Sequence, residues 1–351
     1  MKKNIAVLAG DGVGPEIINA TLVVLRKIEK KFDHSFTFTE GLIGGVAIDQ
    51  TGNPYPDETD SLCMKSDAVL FGAIGNPKYD NDPSLKVRPE QGLLKMRKNL
   101  GLYANIRPIR TFDALLQKSP LKVERVKNVN FVVVRELIGG IYFGNRGREQ
   151  GGKIAYDTSS YSVFEIERIG KTAFEFAQKR RKKVCLVDKA NVLETSRLWR
   201  ETIRSLSNKY TDVEVEYMFV DNAAMQIIKN PSSFDVILTE NLFGDILSDE
   251  ASVITGSIGM LPSASIGDKI SLYEPIHGSY PKATGLNTAN PIGTILSAAL
   301  MLEMSFGLMK EAEAIRMAVD HVLSHGLGTK DIVSDNPLST TEMAEKIAQN
   351  I

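Results

Sequence analysis

A repeated succession of a short apolar run, a polar turn and an amphipathic stretch constrains this chain more than any other feature. Ile5 to Leu8, Asp67 to Phe71, Asn130 to Val134, Val184 to Val187 and Asp235 to Glu240 read as strands, most of them continuously apolar. Ile17, Ile18, Thr21, Leu22, Leu25 and Ile28 recur at helical spacing after the first of them. Phe164, Ile166, Ile169, Ala173, Phe176 and Ala177 do the same across Ser162 to Lys182. Strands alternating with helices make an α/β protein, whose ligand crevice lies at the carboxyl ends of its strands. Polar residues follow four such ends: Arg135, Lys189, Asp221 and Asn241.

A length of 351 residues accommodates two domains, and a net charge of −1 gives no overall attraction to nucleic acid or an anionic membrane. The basic run Lys179 to Lys183 has no interleaved aromatics and reads as a solvated helix end, not an RNA-binding patch. No apolar stretch approaches the roughly 18 residues that span a bilayer. Cys63 and Cys185 sit in apolar surroundings and read as reduced core residues, so a soluble, cytoplasmic protein is expected.

Nucleotide-binding signatures are incomplete. The turn Gly10 to Glu16 is glycine-rich between strand and helix, yet its glycines are not spaced as Gly-x-Gly-x-x-Gly. Gly147 to Lys153 has P-loop-like spacing, but Ile154 stands where a hydroxyl would hold magnesium. His34 and His325 read as exposed loop and helix-end residues, and no histidine- or cysteine-based metal pattern is expected.

Carboxylates and arginines are more informative. In the stretch Gly244 to Ser252, Asp245 and Asp249 are four apart, so a helix projects both from one face while Ile246, Leu247, Ala251 and Ile254 turn to the core. Like charges at that spacing cost a helix roughly 0.2–0.5 kcal/mol, which a divalent cation reverses. Asp221 is a third acid suited to a hard cation, while Arg97, Arg107 and Arg135 suit carboxylates. With Tyr142 and Lys189 as proton carriers, this equipment suits oxidation of a 2-hydroxy acid and decarboxylation of the resulting β-keto acid.

The segments GDGVGPE, PEQGLLKMRK, NIRP, RELIGGIYFG, DKANVLE, ENLFGDILSDEAS and EPIHGS resemble those of the β-decarboxylating dehydrogenases, the isocitrate/isopropylmalate dehydrogenase family, across essentially the whole chain. The resemblance implies a non-Rossmann, two-domain α/β fold with a mixed sheet. The cofactor domain would be discontinuous, 1–103 plus 256–351, and 104–255 would carry substrate, metal and dimer contacts, with an arm at about 143–161 clasping a second subunit. It implies a homodimer with shared active sites and metal-dependent, NAD-linked oxidative decarboxylation. The substrate read from it is 3-isopropylmalate, in leucine biosynthesis, with homoisocitrate, isocitrate or D-malate as alternatives.

By the same resemblance Arg97, Arg107 and Arg135 hold substrate carboxylates, and Asp245, Asp249 and the partner's Asp221 bind Mg²⁺ or Mn²⁺. Lys189, seconded by Asn191, takes the hydroxyl proton, and Tyr142 protonates the enol. Asn76, Glu90, Glu274, His277, Gly278, Ser279, Tyr280, Lys282 and Asn290 attend the nicotinamide cofactor. Glu90, Leu93 and Leu94 meet the C3 substituent; two leucines suit an isopropyl group and disfavour the third carboxylate of isocitrate. One departure is Lys282, where the family commonly has an aspartate that repels the 2′-phosphate of NADP. NAD stays the expected cofactor.

Overall fold

The computed structural model describes residues 1–80 and 85–351; residues 81–84 of the proline-rich loop before Glu90 lie outside these. The first half of the chain forms β1 (Lys2–Gly10), α1 (Gly14–Phe32), β2 (Ser35–Glu40), α2 (Gly45–Thr51), α3 (Asp57–Lys65), β3 (Ala68–Ala73), α4 (Pro77–Asp80), α5 (Pro89–Asn99), β4 (Leu102–Arg110), α6 (Val123–Val126), β5 (Asn130–Glu136), β6 (Arg146–Glu149) and β7 (Ile154–Asp157). Then come α7 (Val163–Gln178), β8 (Lys183–Asp188), α8 (Glu194–Ser207), β9 (Glu214–Phe219), α9 (Val220–Lys229), β10 (Val236–Thr239), α10 (Asn241–Ser252), β11 (Pro262–Gly267), β12 (Ser271–Pro275), α11 (Ile292–Met304), α12 (Met309–Ser324) and α13 (Thr340–Gln349). They divide between two compact units, Met1–Leu102 with Phe112–Lys118 and Gly256–Ile351, and Tyr103–Thr111 with Ser119–Thr255.

In the first unit the strands run in the order β2-β1-β3-β12-β11, parallel up to β12 and antiparallel between β12 and β11. Every residue of β3 is buried, as a strand covered on both faces requires. Helix α11 is buried all along residues 292–302, which explains its apolar character on every side. The turn into α1 needs its glycines: Gly10 and Gly12 have φ of +71° and +60°. A Cβ on Gly12 would lie 2.0 Å from the carbonyl oxygen of Ser279.

The second unit orders its strands β4-β5-β10-β8-β9, with β4 antiparallel and the other four mutually parallel. Arg135 lies beside Thr239, Thr239 beside Val187, and Asp188 beside Phe219. The four parallel strands therefore end at one edge, where Arg135, Asn241, Lys189 and Asp221 emerge. β6 and β7 form a separate exposed hairpin within the expected arm.

Several local expectations are corrected. Helix α10 begins at Asn241, before Gly244, and its Ile246 is 59% exposed, on the same outward face as Val253. Phe164 points outward, and Phe174 takes the core position, stacked on Tyr210. Arg180 and Arg181 are not merely solvated: Arg180 donates to the buried Asp235 at 2.9 Å, and Arg181 to the Phe234 carbonyl. His34 is half-buried against Glu311, with Nε2 2.7 Å from its carboxylate. Cys63 and Cys185 are free and buried, and burial raises their thiols to about 11 and about 12. No helix among the described residues is long and apolar enough to cross a membrane.

Candidate active site

Helix α10 organises the chemistry of the second unit. Asp245 and Asp249 project from one face, as their spacing requires, and meet the arginines of two neighbouring strands. Arg135, at the end of β5, is 2% exposed and bonds Asp245 Oδ1. Arg107, from β4, donates to Asp249 Oδ1 at 3.0 Å and to Ser248 Oγ at 2.6 Å. Tyr142 donates to Asp245 Oδ2 at 2.7 Å. Two cations, two acids and a phenol thus form one cluster. Its acid side chains remain 36% and 61% exposed, so an incoming ligand has access to them. A cation on the acids and a dicarboxylate on the arginines would exchange these ion pairs for equivalent ones.

Asn241 is the residue that strand-end reasoning singled out without a role. Fully buried, it accepts from Arg135 Nε at 3.1 Å and Nη2 at 2.8 Å, and donates to the Gly139 carbonyl at 3.2 Å. It fixes both the guanidinium plane and the loop that carries Tyr142. Gly244 lets the helix approach this closely, since a Cβ there would meet Arg135 Cβ at 2.7 Å.

Beneath that loop lies a buried acidic pair that the sequence did not signal. Glu136 accepts from the backbone of Ile138 and Gly139, while Glu240 buries an oxygen with no hydrogen-bond partner. Burial raises both carboxyls to about 7, assisted by the Glu165 charge at Glu136 and the Glu136 charge at Glu240. Tyr161, raised by burial, bonds the backbone of Asn241. An acid raised from 4.5 to about 7 keeps a proton in the fold that the unfolded chain releases. Its stabilising contribution is complete below 4.5 and is lost as pH rises to about 7. Glu240→Gln is expected to reduce the fall in unfolding free energy between about pH 5 and about pH 8, by an amount on the order of 2 kcal/mol. An unchanged pH slope in calorimetry would contradict this.

Lys189 and Asp221 form a second constellation, with Nζ 2.5 Å from Oδ1. That hydrogen bond holds the Asp221 carboxyl below its ordinary range. They stand at the β8 and β9 ends of the edge, whereas Arg135 stands at β5. Three strand spacings of about 4.8 Å, or roughly 14 Å, separate β5 from β9. Among the described residues no three His, Cys, Asp or Glu side chains converge as a metal site. Asp221 and the α10 acids are therefore not gathered within one chain. Asn191, beyond Lys189, is exposed.

The first unit gathers the residues expected around a cofactor. A cleft of about 660 Å³ is lined by His277, Tyr280, Lys282, Ala283, Leu286 and Asn290, among others. Burial lowers the His277 pKa, its Nδ1 lies 2.9 Å from the Gly278 carbonyl, and its Nε2 is buried without a partner. An unspent polar atom in an apolar-walled cleft fits a nucleotide with polar groups to offer. The cleft floor is set by the Gly10 turn, because Val13 donates its N–H to Ser279 O at 2.8 Å. Asp11 ties that turn to the backbone of Gly45, Val46 and Gly75, and Glu16 accepts from Asn287 and Ala289. Both acids were missed as supports, although they stand within the turn that sequence reasoning marked.

Other expected residues lie elsewhere in this unit. Glu274 is buried against Arg97, 3.4 Å from Nη2. Glu90 and Ser279 both come close to Gly75, and Asn76 accepts from the Lys78 backbone. Leu93 and Leu94 are only half-buried on α5, on the helix that carries Glu90 and Arg97, so neither is spent in the core.

The sequence profile described as isocitrate/isopropylmalate dehydrogenase matches residues 4–347. The chain is 53% identical to the 3-isopropylmalate dehydrogenase of Heyndrickxia coagulans, over all of this chain and 97% of that one. Against the 3-isopropylmalate dehydrogenase of Bacillus subtilis the identity is 51%, over 97% and 95%. Among solved structures, isocitrate dehydrogenase from Methylococcus capsulatus superposes with a TM-score of 0.90 at 33% identity, covering 99% of each chain. A β-decarboxylating dehydrogenase from Thermococcus kodakarensis gives 0.81 at 36%, covering 99% of this chain and 96% of that one.

Proposed function

This chain belongs to the isocitrate/isopropylmalate dehydrogenase family, and from that premise we propose that it oxidises and decarboxylates (2R,3S)-3-isopropylmalate to 4-methyl-2-oxopentanoate and CO₂ with NAD, in leucine biosynthesis. The observation that carries the reading is the cluster of Arg107, Arg135, Tyr142, Asp245 and Asp249 around one helix. When bound, Mg²⁺ or Mn²⁺ supplies Lewis-acid stabilisation of negative oxygen, and NAD accepts the hydride. Arg107 and Arg135 orient the substrate carboxylates by paired hydrogen bonds, with Arg97 as the third arginine. Lys189 takes the hydroxyl proton as oxidation proceeds. Loss of CO₂ leaves its bonding electrons on the enol, and Tyr142 delivers a proton to carbon, which completes the product.

The site is shared between two copies of the chain. Among the described residues no third acid joins Asp245 and Asp249, and a symmetric partner bringing Asp221 and Lys189 supplies it. Exposed apolar residues support such an interface: Ile154 and Tyr156 on the hairpin, Met225 on α9, Ile246 and Val253 on α10. Specificity rests on Leu93 and Leu94, half-exposed near Arg97. A panel of 3-isopropylmalate, isocitrate, homoisocitrate and D-malate tests it, and a kcat/KM for any sibling above that for 3-isopropylmalate would overturn the assignment.

Cofactor choice turns on the cleft rim. Lys282 is exposed there, and a cation at this position tolerates the 2′-phosphate of NADP that a carboxylate repels. Lys282→Asp is expected to raise the NAD/NADP ratio of kcat/KM by about fivefold or more, an interaction of roughly 1 kcal/mol near a surface. An unchanged ratio would remove Lys282 from cofactor discrimination.

A further inference from the structure

The expectation that no histidine-based metal pattern exists is corrected at the C-terminal end of α12, where His321 in the last turn and His325 at the C-cap stand four apart. We propose that these two side chains form a chelating site for a late first-row divalent cation such as Zn²⁺, independent of the proposed catalytic centre. Residues four apart on a helix present their side chains on one face. The two imidazole centroids are 4.3 Å apart with planes inclined at 43°, so the rings lie together on one side of the helix end. Both residues are exposed, and among the described residues neither forms an ion pair.

The tautomer of His325 points the same way. Its Nδ1 lies 2.8 Å from the carbonyl oxygen of His321, which can only accept, so Nδ1 carries the proton and Nε2 presents a lone pair. A metal-binding imidazole characteristically donates its other N–H to a backbone carbonyl, which fixes ring orientation and tautomer. Here that outer partner is already in place. The other histidines are engaged differently: His34 Nε2 pairs with Glu311, and His277 lies in the cofactor cleft. Two imidazoles suit zinc, nickel or copper, whereas magnesium prefers the carboxylate oxygens of α10.

The site adjoins a segment with other work. Leu327 donates to the Val322 carbonyl as the chain leaves α12, and it then reaches Asp331, whose Oδ2 accepts from Asn290 at 3.0 Å and from Ser257 at 2.5 Å. Chelation at 321 and 325 therefore staples the helix end from which the cofactor-cleft loop departs.

Calorimetric titration of the full-length protein with ZnCl₂, in excess Mg²⁺ to occupy the carboxylates, tests this. One histidine-dependent Zn²⁺ site per chain is expected, with affinity weakened at least about tenfold in His321→Ala and in His325→Ala. A rise in thermal midpoint with Zn²⁺ should accompany binding in the parent and vanish in both variants. Because both side chains are exposed, the variants should unfold at the parent temperature without zinc. Zinc affinity and stoichiometry unchanged in both variants, or no binding by the parent at millimolar zinc, overturns the proposal, whatever the outcome of the substrate assays.

Discussion

Lys189→Ala is expected to lower kcat by about 10²–10⁴-fold, the contribution of a positioned proton acceptor, while KM for the hydroxy acid changes far less. Lys189 touches Asp221 through its ammonium alone, and the Asp221 side chain is 64% exposed. Removing the lysine therefore strands no buried charge, and stability should stay within about 0.5 kcal/mol. Steady-state kinetics check this. A kcat within a few-fold of the parent would take Lys189 out of the chemistry.

Mixing two inactive variants should restore activity. Asp249→Ala removes one of the two proposed cation ligands on α10 and leaves Arg107 its bonds to Asn105 and Ser248. Lys189→Ala removes the base proposed to come from the other copy. In a random mixture of dimers, half are mixed, and each mixed dimer has one site with both residues intact. Roughly a quarter of the parent sites return on that count, provided subunits exchange. Co-expression with two affinity tags guarantees the mixed species. Activity no higher than that of either variant alone would mean that each chain builds its site alone.

Much of this could be read from residue order because the parallel strands make strand ends meaningful. Arg135, Asn241, Lys189 and Asp221 emerge at one edge since β5, β10, β8 and β9 pair in parallel, which short apolar runs with intervening helices anticipate. The α/β fold with mixed strand pairing and the family likewise followed from motifs that span the chain. What stayed hidden depends on packing. Whether Ile246 or Phe164 faces inward is not a matter of period alone, since apolar residues also populate outward faces. The Glu136 and Glu240 pair carries no local signature, because its pKa shifts come from burial by segments distant in sequence. The pairing of Arg107 with Asp249 and of Arg135 with Asp245 likewise depends on how α10 packs against β4 and β5, which residue order does not show. His321 and His325, four apart, are legible by spacing alone.

The most direct test of the central claim measures reduced NAD and released CO₂ together, with 3-isopropylmalate and Mg²⁺. Equal molar yields of the two, abolished by chelation of Mg²⁺, are the expected result. No turnover, or NAD reduction without CO₂ release, would contradict oxidative decarboxylation of this substrate.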